Sequence, residues 1–278
     1  MAGRPARRSQ GAAAGPPADT RTLPARLFAI LDAFTRPAPA VSLTLTAISE
    51  RSGIPLSTTH RLVAEWVIWG GLTRQPDGRY TLGLHLWELG MQTPTARTLR
   101  TIALPYLEDL YEATREHVHL AILDGHDALY LEKLSGHRPV HVISRVGGRL
   151  PLHSTGVGLV LLAYASHDVI DEYLSQALQR FLPGTITAPE ELRRRLATIR
   201  MLGLAVMTEE MTAGSSSLAA PIRDRTGQVV AAVSVVTRTT VGTEHEQQHA
   251  VQAAAQGISR ALGYRRAAPL SGSAVALS

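Results

Sequence analysis

Histidines and serines are the side chains of this sequence whose spacing could do chemistry. His117 and His119 stand two residues apart in a segment that reads as a strand, so both point to one face. With His141 or His153 they could bind zinc, because imidazole nitrogen is a common zinc ligand. No third ligand stands at a diagnostic spacing, and such histidines are more often surface or hydrogen-bonded residues. The sequence therefore predicts no metal and no cofactor.

Nucleophilic catalysis is a second chemistry to consider. Its candidate residues are the serine run at 215–217 and the adjacent pair His153 and Ser154. A serine nucleophile needs a histidine held by an acid, and many hydrolases present it on a G-x-S-x-G turn. The sequence has no such turn, and no Asp or Glu is placed to orient a histidine. A serine run beside glycine is more typical of a polar loop or a pocket wall, so we predict that the protein is not an enzyme.

The segment 153–158 favours binding instead. It reads as a strand-to-helix corner, with a helix beginning near Ser154. Backbone N–H groups at a helix start attract anions, and Gly156 lets a ligand approach them closely. Ser154 and Thr155 add hydroxyl groups. The corner therefore suits the carboxylate of a small organic acid.

Residues 23–83 predict three short helices and a hairpin, which is the order of a winged helix-turn-helix. The first helix begins at Leu23 after the N-cap Thr22, and the second begins near Ser42 or Thr44 and ends before Gly53. The third runs from about Leu56 to Trp69. Two strands then flank a Pro-Asp-Gly turn.

The third predicted helix has an apolar face and an exposed face. Its core side is expected to carry Thr59, Leu62, Val63 and Trp66. Exposed polar residues near the start of such a helix can reach bases and phosphates in the major groove. The candidate DNA contacts are Ser57, Thr58, His60 and Arg61 on the helix and Arg74, Arg79 and Tyr80 on the wing. A helical bundle with ordinary surface residues is the alternative, but the hairpin that follows at once favours DNA binding.

The second half alternates strand and helix signals. Helices are expected at 99–116, 154–162, 169–178, 189–202 and 244–264, and strands at 118–123, 128–134, 140–146, 204–208, 218–223 and 229–237. Short strands joined by hairpins predict an antiparallel sheet flanked by helices, an α+β fold. Residues 84–97 are predicted as a linker helix, and 98–266 as the second domain.

Length and composition limit the class of protein that this sequence can form. The 278 residues can bury two cores, and 45% hydrophobic with 18% charged residues is ordinary for a globular protein. Neither a secretory signal nor a membrane span is visible, and the absence of cysteine is compatible with the cytoplasm. The net charge of +5 admits an anionic partner. Residues 1–22 are predicted to be a disordered basic tail, and 267–278 a second disordered tail.

Several ordered motifs resemble those of the IclR family of bacterial transcription regulators. They are ISERSGIPLSTTHRL at 48–62, YTLG at 80–83, LPLHSTGVG at 150–158, GLA at 203–205, AAPI at 219–222 and AAVSV at 231–235. The resemblance extends over about residues 23–264. It implies a winged DNA-binding domain, a linker helix, a GAF-like effector-binding domain, a double-stranded DNA operator as partner, and a homodimer or dimer of dimers.

The resemblance also implies an effector pocket, carried over position by position. Its residues would be Ser154, Thr155, Gly156 and Val157 at the corner, Met207, Ser215 and Ser217 on one wall, and Ser234 and Val236 on another. Family members that bind small polar acids tend to have an acid where Met207 stands and often a second serine where Val236 stands. Both departures favour a larger or partly apolar effector such as an aromatic monocarboxylic acid, unless both are simply core residues.

Together these patterns predict a cytoplasmic, ligand-responsive transcription regulator that does not bind membranes. The segment from Leu84 to Met91 and the first helix expose more apolar surface than a small domain can cover, which also favours a dimer or tetramer. The alternative is a small-molecule-binding enzyme or sensor whose N-terminal domain mediates protein contacts.

Overall fold

The computed structural model describes residues 21–35, 40–135, 143–239 and 244–265. Contacts divide the chain into two compact units, one ending at Thr93 and the other beginning at Pro94. The predicted tails lie outside the described residues, apart from Arg21 and Thr22. None of the described helices is long and apolar enough to cross a membrane.

The first unit is a winged helix-turn-helix. Its elements are α1 (Leu23–Asp32), α2 (Leu45–Ser52), α3 (Leu56–Trp69), β1 (Leu72–Arg74), β2 (Tyr80–Leu82) and α4 (Leu84–Gly90). Threonine hydroxyls cap α1 and α2, since Thr22 accepts from the Ala25 amide and Thr44 from the Ala47 amide. The two strands pair antiparallel and form the wing.

The turn between α2 and α3 is fixed by one glycine and two hydroxyl groups. Gly53 has φ +65°, a left-handed conformation that glycine adopts at low cost. The Ile54 carbonyl then accepts from Ser49 Oγ at 2.6 Å and from Thr59 Oγ1 at 3.1 Å. Thr59 is fully buried, so these bonds set the direction in which α3 leaves the turn.

The second unit is an antiparallel sheet between two layers of helices, as the sequence predicted. Its elements are α5 (Pro94–Thr114), β3 (His117–Asp124), β4 (Asp127–Leu134), β5 (Arg149–Pro151), α6 (Gly156–Ala163), α7 (His167–Leu174), α8 (Pro189–Leu202), β6 (Ala205–Thr208), β7 (Ser215–Arg223), β8 (Val229–Arg238) and α9 (Glu244–Ala261). The strand order is β5-β4-β3-β8-β7-β6, and every neighbouring pair is antiparallel.

The sheet has a hydrophobic core on each face. One core joins α6, α7 and α8 to the sheet, and the other joins α5 and α9 to it. Every residue of α6 is buried, so its N-terminus lies inside the unit against the strands. This placement brings the predicted anion corner next to the middle of the sheet.

The strand predicted at residues 140–146 is wrong in its described part. Residues 143–146 form no strand, and the edge strand is the later β5. The reason is local, because the Ser144 carbonyl accepts a hydrogen bond from the Lys133 ammonium at 2.7 Å rather than from a neighbouring strand. Residues 140–142 lie outside the described part of the chain. Where one linker helix was expected, residues 91–93 separate α4 from α5.

Candidate ligand cavity and nucleic-acid interface

A cavity lies in the second unit between the N-terminus of α6 and the sheet. Its lining includes all nine pocket residues predicted from sequence: Ser154, Thr155, Gly156, Val157, Met207, Ser215, Ser217, Ser234 and Val236. Seven lining residues were missed: His119, Tyr130, Ile143, Ser144, Leu150, Met211 and Thr212. The structure therefore brings the predicted set together, while its binding role stays a prediction.

Strand register explains why these distant residues meet. Met207, Ser217 and Val236 form one row across β6, β7 and β8, because Met207 pairs with Ser217 and Ser217 with Val236. His119 of β3 pairs directly with Ser234 of β8. Since side chains two residues apart share a face of a strand, these groups form one wall.

The corner at the start of α6 is built for close approach. Thr155 Oγ1 accepts from the Gly158 amide at 3.2 Å and donates to the Pro151 carbonyl at 3.0 Å. A side chain on Gly156 would overlap the Ser217 hydroxyl, so a larger residue there would have to displace that hydroxyl. The first N–H groups of a helix have no intrahelical acceptor, and they carry the positive end of the helix dipole.

Ser154 supplies the clearest sign of a missing partner. Its side chain is fully buried, it lines the cavity, and its Oγ has no hydrogen-bond partner among the described residues. A buried hydroxyl without a partner costs free energy, so native proteins rarely retain one without a reason. A ligand oxygen in the cavity would satisfy it.

A second polar group lines the cavity on β3 and the segment after β4. His119 Nε2 lies 2.8 Å from Ser144 Oγ, and both residues are buried. Tyr130 packs edge-on against His119 with ring centroids 5.3 Å apart. Burial raises the pKa of the Tyr130 hydroxyl, and the Thr155 side chain lowers it in part. Burial, followed by the charges of Lys133 and His117, lowers the pKa of His119 to about 3. The imidazole is therefore neutral at physiological pH.

The described lining carries polar groups but no Asp, Glu, Lys or Arg. Its apolar part comes from Met207, Met211, Val236, Leu150 and Ile143. Such a cavity can support one carboxylate at the helix start and surround the rest of the ligand with hydrophobic surface.

The histidines considered for zinc have other partners or lie elsewhere. His153 Nδ1 lies 2.7 Å from the Tyr173 hydroxyl, and its Nε2 lies 2.9 Å from the Gln179 carbonyl oxygen. His141 is outside the described residues. Within the described ranges, no three histidine or acidic side chains are grouped to hold a metal.

In the first unit, the exposed face of α3 is the candidate nucleic-acid interface. Thr59, Leu62 and Val63 are buried as predicted, whereas Ser57, His60 and Arg61 are exposed. Thr58 is half-buried, and Arg74 is exposed on the wing.

Two of the predicted wing contacts have a different place in the structure. Tyr80 is only 8% exposed and belongs to the core of the first unit, which contradicts its predicted contact with phosphate. Its main chain bonds to Leu43 in both directions, and this pairing turns the ring inward. The Arg79 guanidinium donates to the Ser42 hydroxyl at 2.8 Å and carbonyl at 2.9 Å, so it braces the chain before α2.

Family models match both units of this fold. Residues 24–76 match the IclR helix-turn-helix domain, and residues 91–260 match the bacterial transcriptional regulator IclR C-terminal domain. The chain belongs to the IclR family.

Relatives within the IclR family match most of this chain. The regulator XynR of Escherichia coli is 34% identical over 244 residues, which is 86% of this chain and 96% of XynR. An IclR homolog of Microbacterium hydrocarbonoxydans, crystallised with 4-hydroxybenzoate, is 39% identical with TM-score 0.82, covering 87% of this chain and 99% of that one. The Thermotoga maritima IclR is 31% identical with TM-score 0.70, covering 87% and 98%. This IclR-family protein is thus a ligand-responsive, DNA-binding transcription regulator.

Proposed function

We propose that the protein reads operator DNA with the exposed face of α3 and responds to an aromatic monocarboxylic acid bound in the cavity. The carboxylate would lie at the start of α6, within reach of its first amides and the Ser154 hydroxyl. The ring would lie against Met207 and Val236. The observation that carries this proposal is Ser154, a buried hydroxyl that faces the cavity without a partner.

The apolar walls favour an aromatic body over a small polar acid. Burying a ring against methionine and valine contributes roughly 2 kcal/mol, whereas a second unpaired carboxylate there would cost several. The crystallised complex of the Microbacterium homolog with 4-hydroxybenzoate supports a ligand of this class.

Binding would be coupled to a change in the cavity walls. The cavity has a volume of about 50 Å³, whereas a benzene ring fits a cavity of about 150 Å³. Met207 and Met211 are the side chains best suited to give way, because methionine is unbranched and flexible. A ligand that binds the widened form better shifts the protein toward it, and operator affinity changes with that shift.

A catalytic role is the weaker alternative. The closely spaced pair His119 and Ser144 has the composition of a base and a nucleophile. A histidine whose pKa is lowered to about 3 is a poor base at neutral pH, so the pair suits hydrogen bonding instead. We propose no enzymatic activity and expect the protein to act on DNA in the cytoplasm.

The first unit supports a homodimer, alone or paired into a tetramer. Leu84 and Trp87 of α4 and Phe28 of α1 are all more than 60% exposed. Large exposed apolar side chains of this kind mark contact surfaces. A symmetric dimer would bind an operator with two related half-sites.

A gel-shift titration with the DNA upstream of the protein's own gene tests this function. The wild-type protein should bind that DNA specifically, and 4-hydroxybenzoate should change its affinity. Ser154→Ala should keep DNA binding but weaken the response to the acid at least fivefold. Ser175→Ala, which removes an exposed hydroxyl, should respond like the wild type. The absence of specific DNA binding, or an unchanged acid response in Ser154→Ala, would contradict the proposal.

A further inference from the structure

The cavity has a second polar group, which takes no part in the proposed carboxylate site. His119 and Ser144 are 2% and 7% exposed, and their side chains hydrogen-bond to each other at 2.8 Å. Both residues line the cavity, on different elements from the α6 corner. This pair therefore faces whatever part of the ligand is not held by that corner.

Tyr130 connects the two polar groups. Its ring packs edge-on against His119. Burial raises the pKa of its hydroxyl, and the side chain of Thr155, the N-cap of α6, is near enough to lower that pKa in part. One tyrosine side chain thus reaches from the pair to the carboxylate corner. A para-substituted benzoate has a similar length, so a ring whose carboxylate lies at the corner can bring its opposite substituent to the pair.

Ser144 is held from two directions. Its hydroxyl contacts His119, and its carbonyl accepts from Lys133 Nζ at 2.7 Å. Lys133 is also the direct cross-strand partner of His119. Among the described residues, the titratable groups that face His119 are Lys133, His117 and Tyr130, and none of these three supplies a negative charge. The hydroxyl of Ser144 is fixed in place before a ligand arrives.

We infer that His119 and Ser144 recognise a neutral hydroxyl group on the ring of the effector, which makes the ligand a hydroxylated aromatic monocarboxylate. This inference rests on the proposed function. If imidazole donates to Ser144, the serine hydroxyl is free to donate to the ligand. If imidazole accepts from Ser144, the serine oxygen is free to accept. A ligand hydroxyl can complete either arrangement, because it both donates and accepts.

A second carboxylate at this position would be rejected. A carboxylate only accepts hydrogen bonds, and it would bring a charge into a part of the cavity whose described lining has no cation. Lys133 does not change this, since its ammonium is turned to the Ser144 carbonyl rather than into the cavity lining.

Calorimetric titration of the full chain with four probes tests the inference: benzoate, 4-hydroxybenzoate, 4-methylbenzoate and benzene-1,4-dicarboxylate. The wild type should bind 4-hydroxybenzoate about five- to tenfold more tightly than benzoate, as a single neutral hydrogen bond allows. The methyl analogue fills the same space and should gain no such preference. The dicarboxylate should bind at least tenfold more weakly than benzoate.

Variants assign that preference to the pair. Ser144→Ala and His119→Leu should lose the preference for the hydroxyl, so that within each variant 4-hydroxybenzoate binds no more tightly than benzoate. Ser259→Ala, a buried serine on α9 outside the cavity, should retain it. A preference that persists in Ser144→Ala, or a dicarboxylate that binds as well as benzoate, overturns the inference even if His119→Leu fails to fold. If benzoate binds without any hydroxyl preference, only this inference falls; if no aromatic acid binds, the proposed effector class falls with it.

Discussion

The hydroxyl of Ser217 occupies the space that a side chain on Gly156 would need. Gly156 has no positive φ, so the constraint against a larger residue comes from this close approach and not from backbone strain. The Ala219 methyl group lies 3.4 Å from the same point. The start of α6 is therefore pressed against β7 at the level where a carboxylate would bind.

Gly156→Ala should consequently impair both folding and ligand binding. We expect a loss of about 1–3 kcal/mol in the free energy of unfolding, the usual cost of overpacking a core. Ser217→Gly in the same chain should restore most of that stability by removing the overlapping hydroxyl. Urea denaturation of the single and double variants measures both effects. Equal stability of Gly156→Ala and the wild type would show that the start of α6 is not tightly packed against Ser217.

The burial of His119 predicts a pH dependence of stability. The unfolded chain binds a proton at His119 below pH 6.5, whereas the folded protein holds its pKa near 3. Burial of neutral His119 therefore carries no protonation penalty well above pH 6.5, and below that pH the unfolded chain gains stability from protonation progressively until the pH approaches 3. At pH 5 the loss of folding stability should be about 2 kcal/mol relative to pH 7.

His119→Gln should flatten this dependence, as measured by denaturation at pH 5, 6 and 7. Burial also lowers the pKa of His153, which leaves a smaller slope of the same sign in the variant. Burial raises the pKa of Glu210, which gives stability a pH dependence of the opposite sign. Glu210 is present in both the wild type and His119→Gln, so its effect is the same in the two profiles. Identical pH profiles for the variant and wild type would mean that His119 is solvated.

Arg61 tests the assignment of α3 to the DNA. Because the residue is exposed, Arg61→Ala should leave folding unchanged and weaken operator binding by about 1–3 kcal/mol. Arg194→Ala, an exposed arginine on α8 of the second unit, is the matched control. Fluorescence anisotropy with labelled operator gives both affinities. Equal losses in the two variants would point to net charge rather than to α3.

Trp87 tests the proposed dimer. Trp87→Ser combined with Leu84→Ser should dissociate the protein at micromolar concentration, because both side chains are exposed on α4 within their own unit. Val41→Ser changes a residue outside that helix that is even more exposed, and it should leave the assembly intact. Sedimentation velocity without DNA separates these outcomes. A monomeric wild type would contradict the proposed dimer.

The sequence predicted best where local signals determine structure. The bounds of α3 were predicted correctly because apolar periodicity, Gly53 and the glycines after Trp69 all mark its ends. The position of Tyr80 was predicted wrongly because a three-residue strand does not show to which side the Tyr80 ring points. The pairing with Leu43 determines that side, and Leu43 is distant in sequence. His119, Tyr130 and Ser144 were missed as cavity residues for a similar reason. The alternation around His119 shows a shared face, but only the register with Ser234 shows that this face meets α6.

Calorimetry that compares aromatic and small acids tests the central claim most directly. The wild-type chain should bind benzoate-type monocarboxylates and should not bind glyoxylate, pyruvate or succinate at comparable concentrations, because the cavity offers one anion corner and apolar walls from Met207 and Val236. If the small acids bind and the aromatic acids do not, the inference that Met207 and Val236 favour an aromatic ligand is wrong. Binding of none of them would show that the start of α6 is not an anion site.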